Sequence, residues 1–341
     1  MDIRNNAIDP MVSVVMSVYN GDAYLKEAIN SILNQTFTNF EFIIINDGSN
    51  DTSLSIIKSY SDKRIVLIDN IENKGLIYSL NKGFKIAKGK YIARMDADDI
   101  SLPNRLFEQF NFLENHKEVG VVGCNYIQFN KHQEHEFHIT NSHDEILGFM
   151  LFNASVIHPS LMMRKLVLDA QPLLFNLMYK HAEDYELWSR LIFATSFSNV
   201  KKTLFKYRLH EEQVTVMHSA EQVKSANLVR ENILKKAGFV FSENELMIHC
   251  KIGSSELIKN FNDLVESEKW LSNLLIQNAK LKVIDESIFR KVISKQWIDT
   301  CGNTNLGLKA FFYYLKSNLS KKAQEDKLKL FVKCIIRKFK K

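Results

Sequence analysis

Residues 91–100, Tyr91-Ile92-Ala93-Arg94-Met95-Asp96-Ala97-Asp98-Asp99-Ile100, decide how the rest of the chain is read. A short, mostly apolar strand runs into three carboxylates within four positions. Acidic side chains that close repel one another unless a cation lies between them. Hard divalent cations such as Mg²⁺ or Mn²⁺ take such oxygen ligands and complete their shells with substrate phosphates. In open α/β sheets ligands bind beyond the carboxyl ends of the strands, where these carboxylates would stand. The plainer alternative is that Asp98 and Asp99 cap the next helix, which Pro103 at a first-turn position would suit.

Upstream of this stretch the chain alternates strand and helix. Met11 to Val18 is β-branched and apolar almost throughout, the pattern of a parallel strand covered on both faces. It ends in the turn Tyr19-Asn20-Gly21-Asp22, with Asp22 placed to cap a helix from Ala23 to about Leu33. Phe40 to Ile45 is a second buried strand, ending in Asn46-Asp47-Gly48-Ser49, and Asp51 or Thr52 opens a helix to about Tyr60. Ile65 to Ile68 is a third strand, Leu76 to Ala87 a helix and Tyr91 to Met95 a fourth strand. Such alternation on short loops predicts an α/β fold with a doubly wound, mostly parallel sheet. The loops at 19–22, 46–51 and 96–99 should converge on one sheet edge and form a ligand cleft. No G-x-G-x-x-G follows the first strand and no G-x-x-x-x-G-K-[ST] occurs, so phosphates would be held by metal and side chains.

Composition narrows the class. The 341 residues, 45% hydrophobic and 25% charged, suit a soluble globular protein of about two domains. No apolar run is long enough to span a membrane, and residues 1–10 lack the apolar core of a signal peptide. Four scattered cysteines have neither zinc-like nor redox spacing, which fits a reduced, cytoplasmic setting. Of the formal net charge of +6, residues 318–341 hold nine Lys or Arg against Glu325 and Asp326, so the remainder is close to neutral. That is a local basic tail, not a nucleic-acid-binding field.

The segments SVVMSVYNGDAYLKEAINSIL, INDGSNDTS, NKGLIYSLNKGFKIAKGKYIARMDADD, HPSLMMRK, AEDYELWSRL and YRLHEEQVT, in that order, resemble the successive motifs of glycosyltransferase family 2. The resemblance runs from about Met11 to Thr215, roughly two-thirds of the chain. It implies an inverting enzyme of GT-A fold, with a Rossmann-like nucleotide-binding half followed by a C-terminal helical region. The donor would be a nucleotide-diphosphate sugar, UDP-linked, carrying a hexosyl or N-acetylhexosaminyl group. The acceptor would be a hydroxyl of a glycan or lipid-linked carrier, in cell-surface polysaccharide or lipooligosaccharide synthesis. By the same resemblance Tyr19 and Asp47 border the base, with Asp47 accepting from a uracil N–H, and Lys74 lies in the segment near base or ribose. Asp96 faces the ribose, Asp98 bridges to Mn²⁺ or Mg²⁺ on the diphosphate, and Asp99 supports the loop or the next helix start. Asp184 is the general base that takes the acceptor's proton opposite the leaving diphosphate, and Glu183 positions the acceptor or Asp184. Read without the family, Glu183 and Asp184 simply suit the first turn of a helix from Ala182 to Ala194. His210 closes over the diphosphate as a further metal ligand or a hydrogen-bond donor, and Arg208 stabilises the leaving charge. His158 is as much a structural as a functional candidate.

Other features are weighed more plainly. His132, His135, His138 and His143 match no metal-binding spacing and read as a solvated hairpin. A helix is expected at Arg105 to Asn115, a strand at Val119 to Phe129, and a helix from Ser142-His143-Asp144-Glu145 to about Phe152. From about Ser219 the pattern is helical, with a capping box at Ser242–Glu245, a terminator at Gly238, and helices at Ser255–Leu264 and Glu268–Ala279. The expected division is a catalytic domain over 1–215, a helical region over 216–305 on the acceptor side, and a basic amphipathic tail over 306–341. In that tail Leu328, Phe331, Val332, Ile335, Ile336 and Phe339 recur on one helical face among lysines, which suits either an anionic membrane surface at the inner leaflet or a terminal helix packed on the domain with a solvated charged face. Two rival classes are a nucleotidyltransferase, which would carry a basic Gly-rich loop after the first strand, and a non-catalytic glycan- or partner-binding scaffold.

Overall fold

The computed structural model describes residues 9–210, 219–320 and 327–339, with side chains described to residue 336. The end of the YRLHEEQVT motif, the expected boundary at 215, and Lys321, Lys322, Lys340 and Lys341 lie outside the described residues, as do the side chains of Arg337, Lys338 and Phe339. The chain forms two compact units, Met1–Ser142 with Val156–Ser219, and His143–Ser155 with Ala220–Lys341.

The first unit is built on a nine-stranded sheet. Strands β1 (Val12–Val18), β2 (Phe40–Asp47), β3 (Ile65–Asn70) and β4 (Tyr91–Met95) run parallel in the order β3-β2-β1-β4. Between them run α1 (Asp22–Leu33), α2 (Ser53–Lys58) and α3 (Leu76–Ile86). Val12, Val14, Val15, Met16, Ile43, Ile44 and Ile45 have no exposed surface, as expected for strands covered on both faces. Each such side chain contributes about 1.5–3 kcal/mol by its burial. Ser13 is tolerated there because its hydroxyl donates to Glu41 Oε1 at 2.6 Å and accepts from Gly89 N at 2.8 Å. Register pairs Val18 with Asn46 and Met16 with Met95, so the loops after β1, β2 and β4 leave the sheet on one edge.

Beyond β4 the topology becomes mixed. β5 (Ile100–Ser101), α4 (Arg105–Asn115), β6 (Val119–Phe129), β7 (Glu134–Phe137), β8 (Met162–Arg164), α6 (Lys165–Asp169), α7 (Glu183–Leu191) and β9 (Ser196–Arg208) complete the unit. β8 is antiparallel to β4 and β6, β9 is parallel to β6, and β5 closes the far edge against β9. β7, exposed along its length, pairs with the end of the largely buried β6 as the solvated hairpin and carries His135. The sheet, parallel over β1–β4 and mixed beyond, is the expected α/β, mostly parallel sheet.

The second unit is helical: α5 (His143–Met150), α8 (Ser219–Lys236), α9 (Glu243–Gly253), α10 (Phe261–Leu281), α11 (Glu286–Gly302), α12 (Leu308–Lys316) and α13 (Lys327–Phe339). It takes in His143–Ser155, which the expected division places within 1–215. Gly238 ends α8 at φ +86°, and Ser242 and Glu245 form the reciprocal capping box. No helix among the described residues is long and apolar enough to cross a membrane.

Several local expectations are corrected. Asp22 does not cap α1: Gly21 is the N-cap, and the Asp22 carboxylate instead accepts from Thr52 Oγ1 at 2.8 Å, because the loop after β2 offers it a hydroxyl. The helices expected at 255–264 and 268–279 are one helix, α10, started by Asn260 Oδ1 accepting from Asp263 N at 2.8 Å. Helix α7 ends at Leu191, short of Ala194. In the tail, Leu330 and Cys334 turn inward while Leu328, Val332 and Ile336 face outward, so the packed face is rotated from the expected stripe.

Candidate functional site

The cleft begins with two interlocked loops. Asn20, in the left-handed region at φ 49°, accepts from Asn50 N at 2.8 Å and donates its own N–H to Ser49 Oγ at 3.1 Å. Tyr19 stands half exposed beside them. Asp47, at the end of β2, is 2% exposed. Its Oδ1 accepts from Asn70 Nδ2 at 2.8 Å and Lys74 N at 3.1 Å, and its Oδ2 from Gly75 N at 2.8 Å. The carboxylate therefore organises the 73–75 loop and holds Lys74 in place through its backbone. The Lys74 amine lies 3.4 Å from Glu72 and over the Tyr78 ring. Gly48, at φ +68°, lets the two loops touch: a Cβ there would lie 2.4 Å from Glu72 C and 2.5 Å from Asn73 N.

At the end of β4, one oxygen each of Asp96, Asp98 and Asp99 lie within 4.8 Å of one another. Helix α4 starts at Arg105 after Asn104, so Asp98 and Asp99 do not cap it. Asp96 pairs with the buried Arg94 guanidinium. Burial raises the Asp96 carboxyl, opposed by Arg94 and reinforced by the charge on Asp98. Asp99 is 1% exposed, Oδ1 accepts from Arg208 N at 2.8 Å, and Oδ2 has no partner among the described residues. Burial, then the charges of Asp98 and Asp96, push its carboxyl well above the ordinary range. An orphaned buried oxygen in a cluster of hard oxygen donors fits a divalent cation.

The last strand brings the opposite wall. Arg208 donates through Nε to Asp98 O at 2.6 Å, pairs with Glu27, and lies over the rings of Tyr24 and Phe129. His210 Nε2 is 2.8 Å from Asp98 Oδ2, and its ring tilts against Tyr24. Asp98 and His210, more than a hundred residues apart, thus share one point in the cleft.

Glu183 and Asp184 open α7, as expected, yet neither side chain caps it in the ordinary way, since Ala182 is the N-cap. Asp184 Oδ1 accepts from Tyr185 N at 2.6 Å, while Oδ2 faces His158 Nδ1 at 3.8 Å. Burial first, with repulsion from Asp96, raises the Asp184 carboxyl to about 6. Burial and the neighbouring Asp184 charge raise Glu183 to about 7, and Glu183 Oε2 has no partner among the described residues. A partly exposed carboxylate held near neutral pH, such as Asp184, is suited chemically to take a proton from a hydroxyl.

Three residues to which the sequence assigns no site role hold this arrangement. Arg94 is buried, and an arginine inside an otherwise apolar strand directly before an acidic cluster is the signal for it in the sequence. Arg105 donates to Pro159 O at 2.9 Å and to Arg94 O at 3.0 Å, and Gln109 donates to Ser160 O at 2.8 Å. Polar residues four apart on the buried face of α4 were the only hint of that role.

Residues 13–169 match the family described as glycosyl transferase family 2. An uncharacterized glycosyltransferase of Haemophilus influenzae is 35% identical over 286 residues, covering 79% of this chain and 85% of that protein. An O-antigen biosynthesis glycosyltransferase of Escherichia coli, WbnJ, is 35% identical over 212 residues, covering 59% and 81%. Among solved structures, S. aureus TarS 1–349 in complex with UDP-GlcNAc superposes with a TM-score of 0.58 at 17% identity, covering 95% of this chain and 89% of that one. The chain spans 53% of the longer TarS chain.

Proposed function

The chain belongs to glycosyl transferase family 2, and from that premise we propose that it transfers a sugar, with inversion, from a UDP-linked donor to a hydroxyl of a glycan or lipid-linked acceptor in cell-surface polysaccharide or lipooligosaccharide synthesis. Family membership removes the nucleotidyltransferase reading. The observation that carries the proposal is the pairing of two unlike acidic centres in one cleft. Asp96, Asp98 and Asp99 form a tight oxygen cluster, while Asp184 stands apart with its carboxyl held near 6.

In this reading Tyr19, Asp47 and the 73–75 loop with Lys74 receive the base and ribose, and Asp96 borders the ribose. Asp98 and His210 would hold Mn²⁺ or Mg²⁺, which when bound neutralises diphosphate charge. Arg208 adds a fixed positive charge on that side. Asp184 takes the proton from the acceptor hydroxyl as that oxygen attacks the anomeric carbon from the face opposite the diphosphate. Glu183, beside Asp184 in the first turn of α7, positions the acceptor or Asp184. The test is a nucleotide-sugar panel scored by release of nucleoside diphosphate with and without metal. Release from one donor, lost with chelator and with Asp98→Asn, is expected; no release from any donor would overturn the reading.

The tail supports a second part of the proposal, association with an anionic membrane surface on the cytoplasmic side. Leu328, Val332 and Ile336, at intervals of four on α13, are 74%, 45% and 51% exposed, and Lys329 and Lys333 are exposed beside them. Such a stripe with flanking lysines complements acidic headgroups and acyl chains.

A further inference from the structure

His158 opens a 3-10 turn over 158–160 in the first unit. Its place is set by buried polar contacts, Arg105 to Pro159 O and Gln109 to Ser160 O. The imidazole lies edge-on to Trp188, with ring centres 5.5 Å apart, and tilted against Phe175 at 5.6 Å. Phe175 is itself pinned by Asn81, which exchanges two hydrogen bonds with its backbone. The ring is thus clamped, with Nδ1 toward Asp184 Oδ2 and Nε2 buried without a partner among the described residues.

We propose that His158 is a positioning residue for the reaction: its Nδ1–H donates to Asp184 Oδ2, fixes the rotation of that carboxylate and favours its ionised form. The inference rests on Asp184 being the base. The 3.8 Å gap is longer than a hydrogen bond, but catalytic hydrogen bonds are often long until substrate fills the site. Burial, and then the Arg94 charge, keep the ring neutral, so it carries a single N–H. Nε2 is buried with no hydrogen-bond partner among the described residues, so no group stands beyond the ring to take a proton from it. His158 therefore orients the base and does not relay its proton. The groups that bear on the Asp184 charge are Glu183 on its own helix, Asp96 and Arg94 from the end of β4, and His158.

Two measurements on the full-length chain test this. Long-range ¹H–¹⁵N spectra of histidine-labelled protein should show His158 as the neutral Nδ1–H tautomer, with a small inflection near pH 6 from Asp184 that vanishes in Asp184→Asn. An Nε2–H tautomer, or an inflection unchanged in Asp184→Asn, would overturn the proposal. With the donor selected by the nucleotide-sugar panel, His158→Leu should lower kcat about tenfold at unchanged donor KM and move the acid limb of the pH profile up by about half a unit. His158→Asn, whose amide reproduces the Nδ1–H, should recover most of the rate. Equal rates and limbs in wild type and His158→Leu, with Asp184→Asn inactive, would remove His158 and leave the base in place. A fully active Asp184→Asn would instead remove the base itself.

Discussion

His210 Nε2 and Asp98 Oδ2 lie 2.8 Å apart, so the end of the last strand closes on the acidic loop at the end of β4. An imidazole nitrogen and a carboxylate oxygen brought to one point would start a coordination shell for Mn²⁺ or Mg²⁺, the ion replacing the hydrogen bond between them. Asp98→Asn and His210→Ala should each lose at least about tenfold in metal affinity. Calorimetric titration with Mn²⁺ reads this directly, and unchanged affinity in both variants would remove the pair from metal binding.

The pH profile should have its acid limb between about 6 and 7. Asp184 must be ionised to act as base, and its carboxyl is raised to about 6, with Glu183 at about 7. Activity therefore falls as pH drops through that window and is full above it. A limb near 4, the ordinary carboxyl range, would mean that neither residue governs the rate.

Glu183 should cost the fold stability at neutral pH. Its folded-state carboxyl sits at about 7 against an ordinary 4.5, so the folded chain binds that proton more tightly. The stability this contributes is present at low pH and is lost as pH rises from about 4.5 through 7. Glu183→Gln should match wild type at pH 4 and be more stable by on the order of 1–3 kcal/mol at pH 8, where it stays neutral. Thermal melts across that range check the sign, and destabilisation at pH 8 would contradict it.

Gly48→Ala should disorder the donor side. The added methyl meets backbone at 2.4 Å, and φ is +68°, so both contact and conformation oppose it. The cost is expected at about 1–3 kcal/mol, with weakened binding of the nucleotide moiety, here probed with UDP. Wild-type UDP affinity would show that the 48–73 contact does not shape the base pocket.

Truncation after Ser317 should release the protein from anionic vesicles. The outward stripe Leu328-Val332-Ile336 and the nine basic residues after Asn318 would leave with it. Each Lys or Arg near such a surface contributes about 1 kcal/mol, screened by salt. Equal co-sedimentation of full-length and truncated chains would confine the tail to packing.

The sheet was legible because its strands announce themselves: Val12–Val18 and Phe40–Asp47 are apolar on both faces, and polar loops follow each at the same edge. The acidic loop and the Glu183-Asp184 pair were legible as clusters of chemistry. What brings them together was not. Arg105 and Gln109 act through backbone carbonyls of a turn about fifty residues away, and no local pattern records such a partner. The tail failed in a different way. Its periodicity is compatible with two neighbouring faces, and only packing through Leu330 and Cys334 selects one.

The central claim is that Asp184 takes the acceptor's proton in an inverting transfer. The most direct measurement is turnover of Asp184→Asn at saturating donor, with donor affinity determined on the same protein. General-base assistance supplies about 10²–10⁴ in rate. The account predicts a loss of kcat in that range with donor affinity within about twofold of wild type. Normal turnover with weakened donor binding would contradict it and reassign Asp184 to the donor side.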